Sequence, residues 1–404
     1  MARLEPFAAI RYDPARVFAD EVVSPPYDVV GPAERARLAD ESPYNAIHVE
    51  LPAPDPSSGL DQYENASRIF HGWLDAGIVR RDALPAFYLY RMSFDDEHGH
   101  ERITTGLLCA LGLDLDGSGE VLAHEQTIPK DRMDRLSLLR NTRLNTSPLW
   151  VLSLAKGLTA ACREALSQVT EQAWRTTDPD GVVHELWPLT DEGRLAEITA
   201  LGASAPVLIA DGHHRYETAC VYASECRASN GERPGPYDLA LAFVVELSEE
   251  ELSIRAVHRL VKGIAPEQLD GLLAPLFRVE PVSGDLAAIP ATSPPGVIAL
   301  FTRDGFKLLE PLPALEKATG DDLDVSRLKA ALGRLPSHEL TYDAGWQSAI
   351  TAVRTGVADA AFLLRPVPVA RIERVAQDRR RMPPKSTYFQ PKPRTGMAFR
   401  SVAD

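Results

Sequence analysis

The chain predicts an α+β fold, with mixed sheets, hairpins and flanking helices, on three observations. Strand-like apolar runs come in neighbouring pairs joined by short polar turns, as antiparallel hairpins do. Segments with apolar residues at helical spacing stand between these pairs, which argues against a doubly wound parallel sheet. One unit, residues 206–228, reads as strand, glycine turn, helix.

Taken in order, the elements begin after a Pro-rich loop at 52–59. Tyr63, Ala66, Ile69, Phe70 and Trp73 then recur at helical spacing, and Gly77 is placed to end that helix. Runs 86–92 and 102–115 flank an Asp-Asp-Glu-His-Gly turn and read as a hairpin. Residues 128–147 are helical for much of their length, followed by a strand at 149–154 and a helix over 157–172. A strand at 181–189 and a short helix at 190–201 lead to the 206–228 unit. Runs 239–246 and 252–260 read as two strands, and 296–302 with 306–311 as a hairpin around Asp304-Gly305. A helix over 343–355, a strand at 360–364 and a helix over 368–378 precede a basic C-terminal segment. Three lobes are expected: 1–155, 156–270 with the glycine turn, and 271–404.

Composition narrows the function classes. The 404 residues are 45% hydrophobic and 25% charged, an ordinary globular mixture that is too apolar for a disordered chain. No apolar run approaches the ~18 residues of a membrane helix, and the start, M-A-R-L-E-P-F, lacks the apolar core of a signal peptide. The four cysteines, Cys109, Cys162, Cys220 and Cys226, form no C-x-x-C pair and read as reduced thiols of a cytoplasmic protein. A net charge of −14 disfavours nucleic-acid and anionic-membrane partners. The charge is uneven, however. Seven cations and no acid fall in 379–400, and a second basic stretch runs from Lys130 to Arg143, so a small anionic ligand is expected.

The D-G-H-H-R turn, Asp211 to Arg215, is the strongest chemical feature. A helix start leaves backbone N–H groups without helical partners, and its dipole favours anions; glycine lets a phosphate approach closely. Gly212 and Arg215 are therefore candidate phosphate-binding residues, with Arg215 offering a two-pronged donor. Asp211 can act toward a hydroxyl or hold a divalent cation, and His213 and His214 can donate to phosphate or move protons. The competing explanation is a helix capped by Asp211, with surface histidines.

A second constellation spans 124–135. It offers Glu125 as a general base and Lys130, Arg132 and Arg135 as polyphosphate contacts, against a solvated helix with weak local ion pairs. A third spans 382–394, where Lys385, Ser386 and Thr387 present a cation and two hydroxyls; the glycines of a Walker A loop are missing. The alternative there is a disordered basic tail, to which Tyr388 and Phe389 are poorly suited. Tyr27 and Asp28, in S-P-P-Y-D-V-V, and Asn145 are candidate substrate contacts. There is no G-x-S-x-G, H-E-x-x-H or G-x-G-x-x-G, which lowers the odds of a serine hydrolase, a zincin or a Rossmann dehydrogenase.

These motifs occur in a fixed order: E-P-F, P-P-Y-D-V, S-P-Y-N, H-E-x-T, P-K-x-R-x-D-R, D-G-H-H-R-Y-E-T-A, H-R-L-V and M-P-P-K-S-T-Y-F. Together they resemble the bacterial and archaeal family known as domain of unknown function 1015. D-G-H-H-R is also similar to the phosphate-binding turn of the ParB/sulfiredoxin superfold. That resemblance implies a link to free-serine kinases. It implies phosphorylation of L-serine, or a similar small hydroxyl compound, to O-phospho-L-serine, with pyrophosphate, ATP or ADP as donor; Mg²⁺ is expected because phosphoryl transfer depends on neutralising the donor oxygens. Asp378-Arg379-Arg380-Arg381 stands where the family usually carries a Gly-Glu pair, a departure that bears on donor or substrate choice. Two other functions are weighed: a ParB-like nucleotide switch without catalysis, and a metal-dependent hydrolase using Asp211, His213, His214 and His258. The oligomeric state is open.

Overall fold

The computed structural model describes residues 2–96, 99–123, 129–282, 296–319 and 322–403; at 123, 129–132 and 318 it describes the backbone only. It divides the chain into two units, Met1–Leu252 with Pro391–Asp404, and Ser253–Gln390. The first unit is therefore discontinuous in sequence. The fold is a mixed α+β one with several sheets.

The first unit is built on a nine-stranded sheet. Its strands are β1 (Leu4–Glu5), β2 (Phe87–Asp95), β3 (Glu101–Gly112), β4 (Val121–Ala123), β5 (Leu149–Ser153), β6 (Trp174–Thr177), β7 (Val183–Leu189), β8 (Val207–Asp211) and β9 (Leu239–Glu246). Their order is β4-β8-β5-β9-β3-β2-β7-β6, with β1 beside β3. β8 runs parallel to β4, and β9 parallel to β5; the other pairs are antiparallel. The expected hairpin appears as β2 and β3, in register from Tyr88↔Leu108 to Asp95↔Glu101.

Alternate residues of the central strands point to opposite faces. Phe87 and Leu89, Leu107 and Cys109, Val151, Val207 and Ile209, and Ala242 and Val244 share one core with two helices, α3 (Leu158–Ser167) and α4 (Glu192–Gly202). The apolar residues of those helices that join this core include Leu158, Cys162 and Ile198. On the other face Tyr90, Trp150 and Phe243 meet, with ring centroids 4.9 Å apart for Tyr90–Phe243 and 5.9 Å for Trp150–Phe243. The predicted early helix is α1 (Gln62–Asp75), which buries Phe70 and Trp73 against Tyr12 and Phe399. α2 (Pro129–Thr142) and α5 (His213–Ser229) complete the helices used below. Phe399 arrives through the C-terminal segment, which is tied in by the Ser24↔Thr395 and Ile10↔Phe399 bridges and by pairing of Arg400 with Asn145.

The second unit holds an antiparallel six-stranded sheet: β10 (His258–Lys262), β11 (Phe277–Val282), β12 (Ile298–Thr302), β13 (Gly305–Pro311), β14 (Glu339–Asp343) and β15 (Ala360–Leu363), ordered β11-β13-β12-β15-β10-β14. The strand expected over 252–260 is broken. Ser253–Arg255 pairs with Tyr388–Gln390, while β10 joins the larger sheet; the intervening Ala256 and Val257 are buried. The helix expected over 157–172 ends at Ser167. Among the described residues no helix is long and apolar enough to cross a membrane.

Candidate functional site

The D-G-H-H-R turn lies where the strand–turn–helix pattern places it, between β8 and α5. The pairing of β8 with β5 shifts register between Ile209 and Asp211, an irregularity of the kind that re-aims a side chain at a strand end. Gly212 then takes a left-handed conformation, with φ +90°, and α5 begins without a side-chain cap. Asp211 therefore does not cap this helix, contrary to the competing explanation. Both its oxygens are engaged by cations: Arg215 Nη2 donates to Oδ2 at 2.8 Å, and Lys392 Nζ donates to Oδ1. Burial raises the Asp211 pKa, but Lys392 and Arg215 outweigh it and hold the carboxyl at about 2. His213 and His214 occupy the first turn of α5, half-buried.

Arg215 is tied into the framework of the site. Its Nη1 donates to Ser147 Oγ at 3.1 Å and to the Pro148 carbonyl at 2.6 Å. Its guanidinium lies so close over Gly212 that an added Cβ would meet Arg215 Nε at 3.0 Å. The web continues through Ser147 Oγ, which donates to Glu50 Oε1 at 2.8 Å, and Thr146 Oγ1 donates to Glu50 Oε2. Tyr27 N–H donates to Glu50 Oε1 at 3.3 Å. Glu50 is 1% exposed, so it acts by fixing these neighbours. A cavity of about 50 Å³ is lined by Glu50, Arg135, Ser147 and Arg215 among others.

The other residues expected from sequence fall into three groups. Tyr27 and Asp28 join this site. Tyr27 lies under the Arg135 guanidinium, 4.3 Å from carbon to ring centroid, and burial pushes its hydroxyl up to about 12. Asp28 keeps an accessible face, yet the protein packed around its carboxyl and the charge of Asp211 push its pKa up, opposed by Arg215 and Lys392. Arg135 and Asn145 are committed to the framework. Arg135 is 6% exposed and donates to Asp134 and to the Glu50 carbonyl, the latter at 2.6 Å. Asn145 Oδ1 accepts from Leu241 N–H at 2.9 Å and from Arg400 at 3.3 Å.

In the last group, Glu125 lies outside the described residues. Lys130 and Arg132 are on the α2 backbone, with side chains outside the description. Lys385, Ser386 and Thr387 belong to the second unit, where Lys385 is exposed at φ +58° and Ser386 Oγ donates to the Pro383 carbonyl at 2.5 Å. His258 is also in the second unit, buried, with Nδ1 accepting from Leu364 N–H at 3.1 Å; burial lowers its pKa to about 4. It is a structural histidine, which weakens the hydrolase explanation.

Divalent-metal binding at Asp211 fits poorly, because both oxygens already face cations. Among the described residues no group of three or more His, Cys, Asp or Glu side chains is placed to hold a metal.

Comparison with known proteins gives one decisive result. The model of the family described as "Protein of unknown function (DUF1015)" matches residues 4–326. The chain belongs to the DUF1015 family. No curated protein matches it. Among solved structures, this DUF1015 chain is similar to a conserved hypothetical protein from Pyrococcus furiosus, at 14% identity and a TM-score of 0.39, over 70% of this chain and 90% of that one. A free serine kinase in complex with AMP is similar at 14% identity and a TM-score of 0.39, over 70% and 87% of the two chains. A C-terminally truncated SbnI from Staphylococcus aureus is similar at 13% identity and a TM-score of 0.39, over 70% and 82%.

Proposed function

We propose that this DUF1015 chain is a phosphotransferase that phosphorylates a small hydroxyl compound, and that the turn from Asp211 to Arg215 binds the phosphate donor. The observation that carries this reading is the uncapped start of α5 at left-handed Gly212, beside a carboxylate held between two cations. First-turn N–H groups and the helix dipole favour a phosphate there, and the Arg215 guanidinium lies over Gly212 beside them.

In such a transfer the substrate oxygen bonds to phosphorus, the bond to the leaving phosphate breaks, and the hydroxyl proton needs an acceptor. Catalysis is then mostly positioning and charge neutralisation. Asp211, with its pKa held at about 2, is better suited to accept the hydroxyl's hydrogen bond than to take its proton. Glu125 is proposed for that second task, and Asp28 and Tyr27 for contacts to the substrate. His213 and His214 are proposed to donate to phosphate oxygens.

The resemblance of D-G-H-H-R to the phosphate-binding turn of the superfold that includes free-serine kinases makes L-serine the acceptor to test, with pyrophosphate, ATP or ADP as donor. Phosphorus NMR of full-length protein with each pair, with and without Mg²⁺, reads the reaction directly. O-phospho-L-serine appearing with one donor supports the reading. Absence of any phosphorylated product from well-folded protein with every donor overturns it.

A further inference from the structure

We propose that Lys392 is a phosphate-binding residue of this site, held on Asp211 until an anionic ligand arrives and then exchanged onto the ligand's phosphate. The inference rests on the phosphate site proposed above. It adds a residue that lies outside both the D-G-H-H-R turn and the M-P-P-K-S-T segment.

The placement of Lys392 is unusual for a lysine. Its side chain is only 11% exposed, and its ammonium donates to Asp211 Oδ1 at the end of β8. Lysines normally keep the charged head in water, so burying this one beside a helix start has a desolvation cost. Asp211 had already met a cation in Arg215, which donates to its other oxygen at 2.8 Å. Asp28 lies within electrostatic reach of the same two cations and offsets their charge together with Asp211, while the positive end of the α5 dipole lies next to them. A phosphate at the turn would meet the helix start and the Lys392 ammonium together.

The two cations differ in their freedom. Arg215 is a planar fork tied to Asp211, Ser147 and Pro148, and moving it would break the web that holds Glu50 and Tyr27. An ammonium is a point charge with three donors on a flexible four-carbon stem, so it can change acceptor through side-chain rotation alone. The backbone beneath it need not move. Ser24 and Thr395 exchange N–H···O bonds of 3.0 and 2.9 Å. Arg394 N–H donates to the Tyr90 hydroxyl at 3.1 Å, and the Arg394 guanidinium is paired with Asp178. These bonds anchor the backbone two residues after Lys392.

Calorimetric titration of the full chain with pyrophosphate, without divalent cation, tests the exchange. Lys392→Met is expected to weaken binding about tenfold or more, the scale of one lost charge-assisted hydrogen bond, while Lys392→Arg keeps most of it. Asp211→Asn releases Lys392 from its resting partner and is expected to bind pyrophosphate at least as tightly as the unaltered chain. Equal affinity in the unaltered chain and a folded Lys392→Met variant overturns the role of Lys392 and leaves the turn standing. If the Met variant does not fold, weaker binding by folded Asp211→Asn overturns the exchange. Failure of the unaltered chain to bind pyrophosphate, ATP or ADP is a different result, because it sinks the phosphate site itself.

Discussion

At Gly212 the backbone has φ +90°, and a Cβ would lie 3.0 Å from Arg215 Nε. Gly212→Ala is therefore expected to lower stability by about 1–2 kcal/mol through the left-handed conformation alone. It should also displace the Arg215 guanidinium, so the pyrophosphate affinity falls with the melting temperature. Asp28 makes a complementary prediction. Burial and Asp211 raise its pKa above the unfolded value, so the folded state favours its neutral form. The stability it contributes is full below the unfolded pKa and is lost as pH rises through the folded one. Asp28→Asn should thus melt higher than the unaltered chain at pH 7, and the gain should vanish below about pH 3; equal melting at pH 7 contradicts it.

The residues legible in the sequence were those whose chemistry is local. Asp211 to Arg215 announce a helix start within five letters. Glu50 does not announce itself, and Lys392 stands out only as one of the seven cations in 379–400. Glu50 sits on a four-residue helix beside apolar Ile47 and Val49, its only sequence signal being an acid in an apolar run. Lys392 lies 181 residues from its partner Asp211, a separation that no local pattern bridges.

Elements were legible where period and punctuation agree. α1 carries its apolar stripe and also a capping box: Asp61 Oδ1 accepts from Tyr63 N–H and Glu64 N–H at 2.8 Å, and Glu64 Oε2 accepts from Asp61 N–H at 3.1 Å. Asp61→Ala should cost about 1 kcal/mol, seen as a lower urea midpoint with an unchanged slope if unfolding of the first unit is two-state. Hairpin β2–β3 was legible for a similar reason, since a polar turn separates two apolar runs. The broken strand at 252–260 was not. Ala256 and Val257 are apolar and strand-compatible, and the break exists because the two halves pair with different partners, Tyr388–Gln390 and β15 with β14. Such a choice of partner is set by tertiary packing, which alternation along one strand does not encode.

At the scale of the whole molecule, the C-terminal segment is part of the first unit. The basic segment expected as a tail of the third lobe instead carries Phe399, 0% exposed, into the core of Ile10, Tyr12, Phe70 and Trp73, and carries Lys392 to Asp211. A chain ending at Gln390 loses both, along with the Ser24–Thr395 and Ile10–Phe399 bridges. It should be markedly more sensitive to proteolysis across α1 than the full chain; equal protection would show that the segment is dispensable. Seven cations in 379–400 had signalled an anion, yet their division between two units could not be read from charge alone. The central claim is that phosphate binds at the start of α5, and a crystal structure of the full chain soaked with pyrophosphate tests it most directly. The account predicts a phosphate within hydrogen-bond distance of the backbone N–H groups of residues 213–215, with Lys392 turned toward it. Pyrophosphate bound elsewhere on the chain, with the turn empty, would contradict it.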